Sequence, residues 1–125
     1  MHRTPISEVN QQNFEAEVLR AALPVLVAFV ASWSRPCHVI TAVLSEVADA
    51  CAGQVKVVKV NADDHPELSL WYGVESIPTL LAFAGGRVRA QLVGTASKEA
   101  ILARLQAVME SNKDDAIRPT NDTTT

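Results

Sequence analysis

The sequence predicts an α/β domain in which a mixed β-sheet of about five strands is flanked by about four helices. Apolar runs of strand length alternate with segments of helical periodicity, which is typical of parallel crossover connections. The run Val25–Val30 has no polar alternation and predicts a central strand that is buried on both faces. Gly85-Gly86 joins two later apolar runs and predicts a hairpin.

The first half of the chain predicts strand, helix, strand and helix in turn. Residues 6–9 predict a short first strand, and Asn10 is placed to cap the helix that follows. Pro24 ends that helix and precedes the central strand. A long helix is predicted over residues 34–52, and Gly53 is expected to end it. Its predicted apolar stripe consists of Val39, Ile40, Val43, Leu44 and Val47.

The second half predicts a strand, a short helix and then the hairpin. Residues 55–60 predict the strand, and Asp64 and Glu67 have the spacing of a capping box for the short helix. The hairpin strands are predicted over Thr79–Ala84 and Arg87–Val93.

A final helix and a polar tail close the chain. The helix is predicted to begin near residue 97, and residues 111–125 are polar and end in three threonines. That composition predicts a disordered tail. One domain is therefore assigned to residues 1–110.

The composition bounds the function classes. The chain has 125 residues, of which 48% are hydrophobic, and its formal net charge is −3. A mildly acidic chain lacks the excess positive charge that typically attracts nucleic acid or anionic lipid. The longest apolar run, residues 21–31, is too short to span a membrane. Residues 1–13 lack the apolar stretch of a signal peptide, so we expect a cytoplasmic protein.

The two cysteines, Cys37 and Cys51, are predicted to lie on the same long helix. Fourteen residues of helix separate their Cα atoms by roughly 21 Å, whereas a disulfide needs about 7 Å or less. We therefore expect no internal disulfide, which is typical of a reducing compartment. Cys51 is expected to be a packed thiol.

Four segments carry a resemblance to a known family. They are VLVAFVASWSRPC, VVKVNADDHPEL, YGVESIPTLLAF and GGRVRAQLVGTASKEAILARL. In this order and spacing they resemble the active-site strand, third strand, proline loop and last hairpin of the thioredoxin family. The resemblance covers residues 6–110 and implies the thioredoxin fold and a polypeptide as client or partner. We expect a monomer without cofactor or metal.

The active-site motif departs from the family pattern. The family has a cysteine at each end of this motif, whereas this chain reads Ser34-Arg35-Pro36-Cys37. In the family the first thiolate attacks a disulfide and the second cysteine resolves the mixed disulfide. A serine oxygen cannot form that S–S intermediate. Three further departures are Ala28 for a buried aspartate, Val30 for a tryptophan and Ala42 for a proline.

Ser34 and Cys37 each allow two interpretations. Ser34 is favoured as the helix N-cap, and a serine nucleophile would need a base such as His38. Cys37 is either an inert shielded thiol or a thiol that forms mixed disulfides, because Arg35 and His38 bring positive charge to the motif.

The resemblance also implies a groove that binds extended polypeptide. Its expected residues are Trp33, Ile77, Pro78, Val93 and Gly94. The family implies a cis bond at Pro78, which would present the backbone of Ile77 to a bound strand. Trp33 alternatively packs against the domain.

Two other segments are assigned structural roles. The stretch NADDHPE, residues 61–67, is interpreted as a helix start and not as a metal site. Trp71 and Tyr72 are expected to pack in the core in preference to forming an aromatic binding platform.

Two functional hypotheses follow. The first is a thioredoxin-like protein of the thiol–disulfide system without ordinary dithiol cycling, at most a weak oxidoreductase through Cys37. The alternative is a non-catalytic, chaperone-like module that binds polypeptide in the groove. A third possibility is a structural subunit of a larger assembly.

Overall fold

The structure, a computed structural model, describes residues 6–117. Its elements, in chain order, are β1 (Ser7–Val9), a π-helical segment (Glu15–Leu19), β2 (Val25–Val30), α1 (Arg35–Ala50), β3 (Lys56–Asn61), α2 (Pro66–Trp71), β4 (Thr79–Ala84), β5 (Arg87–Val93) and α3 (Lys98–Ile117). The predicted α/β class, with five strands and about four helices, is confirmed.

The five strands form one mixed sheet in the order β1-β3-β2-β4-β5. Strands β1, β3 and β2 run parallel, whereas β4 is antiparallel to β2 and to β5. Every residue of β2 and β4 is buried, as continuous apolar strands at a sheet centre should be. The register places Ala28 beside Lys59 on one neighbour and Leu80 on the other.

Each face of the sheet carries its own hydrophobic core. Ile40 and Leu44 of α1 and Ile101 and Leu105 of α3 belong to the core on one face. The core on the other face contains Phe14 and Phe83, with Tyr72 packed against it. Their rings lie with centroids 5.3 to 5.7 Å apart, which is the spacing of favourable aromatic pairs.

The apolar stripe of α1 is narrower than the sequence predicted. Cys37, Ile40, Leu44 and Val47 are buried, whereas Val39 is 52% exposed. The buried positions recur at intervals of three and four residues, and Val39 lies one step outside that series. The helix begins at Arg35 after its cap and ends at Ala50, two residues before the predicted end.

The helix predicted after Asn10 is much shorter than expected. Asn10 and Asn13 each donate a backbone N–H to the other's side-chain oxygen, at 2.8 and 2.9 Å. This reciprocal capping holds a turn, and only the five-residue π-helical segment Glu15–Leu19 follows. The backbone N–H of Arg20 donates to Glu15 O at 2.9 Å and closes it.

The capping box predicted from Asp64 and Glu67 is wrong. Helix α2 begins at Pro66, so its cap position is His65, and no side chain caps it. Asp64 instead donates its backbone N–H to Asn61 Oδ1 at 3.3 Å. Proline at the first helical position moved the helix start one residue beyond the residue that the spacing selected.

The core placement of Trp71 is also wrong, although that of Tyr72 holds. Trp71 is 62% exposed and Leu70 is 78% exposed. Helix α2 has only six residues, of which Leu68 alone is buried, so its last turn projects outward. Tyr72 turns back onto Phe14 and Phe83, and burial raises the pKa of its phenol.

Helix α3 runs to Ile117, seven residues past the predicted domain end at residue 110. Residues 111–117 are therefore helical, where an irregular tail was expected. The sequence contains no glycine or proline between Ser97 and Pro119 that would stop the helix. The rest of the predicted tail lies outside the described residues. No helix in the described part of the chain is long and apolar enough to cross a membrane.

We predict that Phe83→Ala lowers the free energy of unfolding by about 3–5 kcal/mol, because it leaves a cavity between two aromatic rings. Val88→Ala is the matched control, since Val88 is 43% exposed, and it should cost less than about 1 kcal/mol. Urea denaturation measures both. Equal effects of the two substitutions would contradict the assigned core.

Candidate functional site

The start of α1 is held by Ser34. Its backbone is extended, with φ −95° and ψ 121°, and its Oγ accepts a hydrogen bond from the backbone N–H of Cys37 at 3.3 Å. Ser34 is buried, and its own N–H donates to Ala31 O at 3.2 Å. The sequence-predicted N-cap is therefore confirmed. The hydroxyl occupies the end of the helix where free backbone N–H groups gather.

The His38 ring makes its hydrogen bond to the backbone and not to Ser34. Its Nε2 lies 2.6 Å from the carbonyl oxygen of Ser32. A carbonyl only accepts, so Nε2 carries the proton in this contact. The hydroxyl of Ser34 is instead engaged by a backbone donor, and the interpretation of Ser34 as a nucleophile finds no support in this geometry.

Cys37 lies one turn inside α1 and is only 1% exposed. The backbone N–H of Ala31 points at its Sγ, with 3.4 Å between nitrogen and sulfur. Ala31 was not singled out from the sequence, because any residue type supplies this backbone group.

Cys51 is remote from the site. It is the residue after the last turn of α1, it is buried, and burial raises the pKa of its thiol. Both cysteines are free. Because they lie at opposite ends of a 16-residue helix, they are too far apart to form a bond with each other.

Several of the groove residues expected from the sequence do come together. A cleft of about 500 Å³ is lined by Arg35, Pro36, Val39, Ile77, Pro78, Gly94 and Thr95. We call this cleft the groove. Its two loops are tied by a hydrogen bond from Gly94 N to Pro78 O at 2.8 Å, and the Ile77–Pro78 peptide bond is cis. Gly94 has φ +87°, which only glycine adopts readily.

Trp33 and Val93 are exposed but do not line the groove. Trp33 is 71% exposed and Val93 is 62% exposed, so packing against the domain does not account for the tryptophan. The indole N–H donates to Asp63 Oδ2 at 2.7 Å. Asp63 was assigned to a helix start in the sequence, and its role in holding Trp33 depends on a contact across thirty residues of chain.

A second cavity, of about 390 Å³, opens on the other side of the start of α1. It is lined by Glu8, Val30, Ala31, Ser32, Cys37, His38, Thr41, Lys59 and Asn61. We call it the lateral cavity. Cys37 lines the lateral cavity and does not line the groove. Lys59 is half-buried and lies at this cavity.

No group of three or more metal-ligating side chains is present in the part of the chain that the structure describes. The residues of the NADDHPE stretch therefore do not converge on a common point. The Asn61 side chain instead stabilises the local backbone, because its Oδ1 accepts hydrogen bonds from the N–H groups of Asp63 and Asp64.

These features define a class of protein. It has a mixed α/β sheet, a thiol one turn inside the helix that follows the central strand, and a proline loop beside that helix. A family model described as Thioredoxin matches residues 5–107. The chain belongs to the thioredoxin family.

Named relatives agree over most of their length. Thioredoxin 1 of Nostoc sp. is 40% identical over 100 residues, which cover 80% of this chain and 94% of the relative. The thioredoxin of Allochromatium vinosum is 42% identical over 107 residues, covering 86% and 96%. The thioredoxin of Synechocystis sp. is 40% identical over 106 residues, covering 85% and 97%.

We predict that Ser34→Ala destabilises the domain by about 1 kcal/mol, because it removes the acceptor for the Cys37 N–H. Ser32→Ala, two residues earlier on the exposed turn, should change the stability by less than about 0.5 kcal/mol. Thermal and urea unfolding measure the difference. If Ser34→Ala is as mild as Ser32→Ala, the hydroxyl does not cap the helix.

Proposed function

We propose that this chain acts in the thiol–disulfide system of the cell through one thiol, Cys37, without the dithiol cycle of ordinary thioredoxins. The observation that carries the proposal is the hydrogen bond from Cys37 N to Ser34 Oγ. The serine oxygen caps the helix at the position where the family pattern has its attacking sulfur, and this supports the proposal.

A single thiol limits the chemistry. A mixed disulfide on Cys37 requires a second thiol for its release. Ser34 has no sulfur to supply, and Cys51 lies at the far end of α1. An outside thiol must therefore complete each turnover, and the protein is at most a weak oxidoreductase.

The residue behind the site supports the same reading. Ala28 is fully buried in β2, between Lys59 and Leu80 of the neighbouring strands. The family resemblance implies a buried aspartate at this position, which takes up the proton of the resolving thiol. A methyl group cannot take up a proton, so this sequence lacks that part of the dithiol cycle as well.

We propose a polypeptide as client, bound beside Ile77, Pro78 and Gly94, and a monomer in the cytoplasm. Val39 adds an exposed apolar side chain to the same groove. The family resemblance implies that an extended polypeptide pairs with the backbone of Ile77 here, as in β-augmentation. Trp33 and Val93 would extend the contact on either side.

One observation favours a second candidate, a binding module that performs no exchange. Cys37 is not among the residues that line the groove, and it is only 1% exposed. A polypeptide can therefore occupy the groove without contacting the sulfur. In this case the domain holds its client, as a chaperone does, and Cys37 is a core residue.

An insulin-reduction assay with dithiothreitol tests the first proposal. We expect the unmodified chain to reduce insulin no faster than dithiothreitol alone does, because the motif lacks the pair of cysteines that forms and resolves a mixed disulfide. Ser34→Cys should raise the rate at least tenfold above this background, since it restores the second sulfur on an existing helix start. Cys37→Ala in the Ser34→Cys chain is the matched control and should abolish the gain.

Two results would decide against these proposals. Ordinary turnover by the natural chain would overturn the single-thiol mechanism. For the binding module, full client binding after Cys37→Ala is expected, and loss of binding in a chain that still folds would contradict it.

A further inference from the structure

We propose that Cys37 exchanges with small zwitterionic disulfides of the amino-acid type, which reach it through the lateral cavity. This inference rests on the proposed single-thiol function and names its substrate class. Cys37 is among the residues that line a pocket of about 390 Å³, and pockets for small molecules begin at about 300 Å³. A polypeptide lying in the groove meets Arg35 and Pro36 and not the sulfur.

The lateral cavity carries one charge of each sign on adjacent strands. Glu8 of β1 and Lys59 of β3 are register partners in a parallel pair, so their side chains leave the same face of the sheet next to each other. Both line the cavity, as Cys37 does. A carboxylate and an ammonium group set side by side complement the ammonium and carboxylate of an amino acid.

The remaining polar lining is largely committed to the protein's own backbone. Thr41 Oγ1 donates to Cys37 O at 2.8 Å, and the His38 ring contacts Ser32 O. Asn61 Oδ1 accepts from Asp63 N at 3.0 Å. Glu8 and Lys59 are thus the charged groups of the cavity wall that recognise a ligand, with the His38 ring at its edge.

The exchange step balances without a further reagent. The Cys37 thiol gives its proton to water, and its sulfur attacks one sulfur of the disulfide. The S–S bond of the ligand breaks, and the leaving thiolate takes up a proton. Cys37 and one half of the ligand are joined as the mixed disulfide, while the other half is reduced to a free thiol. A second thiol of the same class reverses the step.

The test measures the rate at which Cys37 becomes a mixed disulfide, by intact mass and peptide mapping of the full chain. The probes are cystine, the uncharged bis(2-hydroxyethyl) disulfide, and insulin as a polypeptide disulfide. We expect cystine to react faster than the uncharged disulfide, and insulin to react slowest. Lys59→Gln and Glu8→Gln should each slow cystine by about fivefold, the scale of one charge pair in water, and leave the uncharged probe unchanged.

Lys98→Gln is the matched control, because it removes a lysine charge away from the cavity, and it should leave all three rates unchanged. The substrate class is wrong if cystine reacts no faster than the uncharged disulfide, or if neither Lys59→Gln nor Glu8→Gln slows the reaction with cystine. In both cases the single-thiol function stands. If no small disulfide modifies Cys37 in the folded chain, the proposed function fails together with this inference.

Discussion

The hydrogen bond between the Cys37 N–H and Ser34 Oγ sets the geometry of the whole site. It caps the first turn of α1, which carries Cys37, and the sulfur of that residue lies 3.4 Å from the backbone nitrogen of Ala31, just after β2. The same oxygen that stabilises the helix start stands where exchange chemistry would need a second sulfur. In the proposed single-thiol function, Ser34 therefore both stabilises the helix start and restricts the chemistry.

The start of α1 separates two surfaces that the usual cycle combines. On one side, the groove is lined by Ile77, Pro78 and Gly94 together with the exposed apolar side chain of Val39. On the other side, the lateral cavity brings Cys37 next to charged side chains. In the proposed function, client binding and thiol chemistry therefore use two different surfaces, since Cys37 lines the lateral cavity and not the groove.

The sequence predicted those features that depend on local pattern. Continuous apolar runs gave β2 and β4, Gly85-Gly86 gave the hairpin, and serine before a helical run gave the cap. Features that depend on distant contacts were missed, including the indole bond from Trp33 to Asp63 and the pocket that Glu8 shares with Lys59. Trp71 was misplaced because aromatic content predicts burial, whereas a six-residue helix has only one buried position.

The most direct measurement of the single-thiol account is the fate of an adduct on Cys37. The natural chain, with Cys51 present, is loaded with 5-thio-2-nitrobenzoate at Cys37, freed of reagent and followed by absorbance and intact mass. The account predicts that the adduct persists in thiol-free buffer and is released only when an external thiol is added. The account is contradicted if the aromatic thiol is released without added thiol and the protein is left two hydrogens lighter than the reduced, unlabelled chain, since that mass shows an internal disulfide.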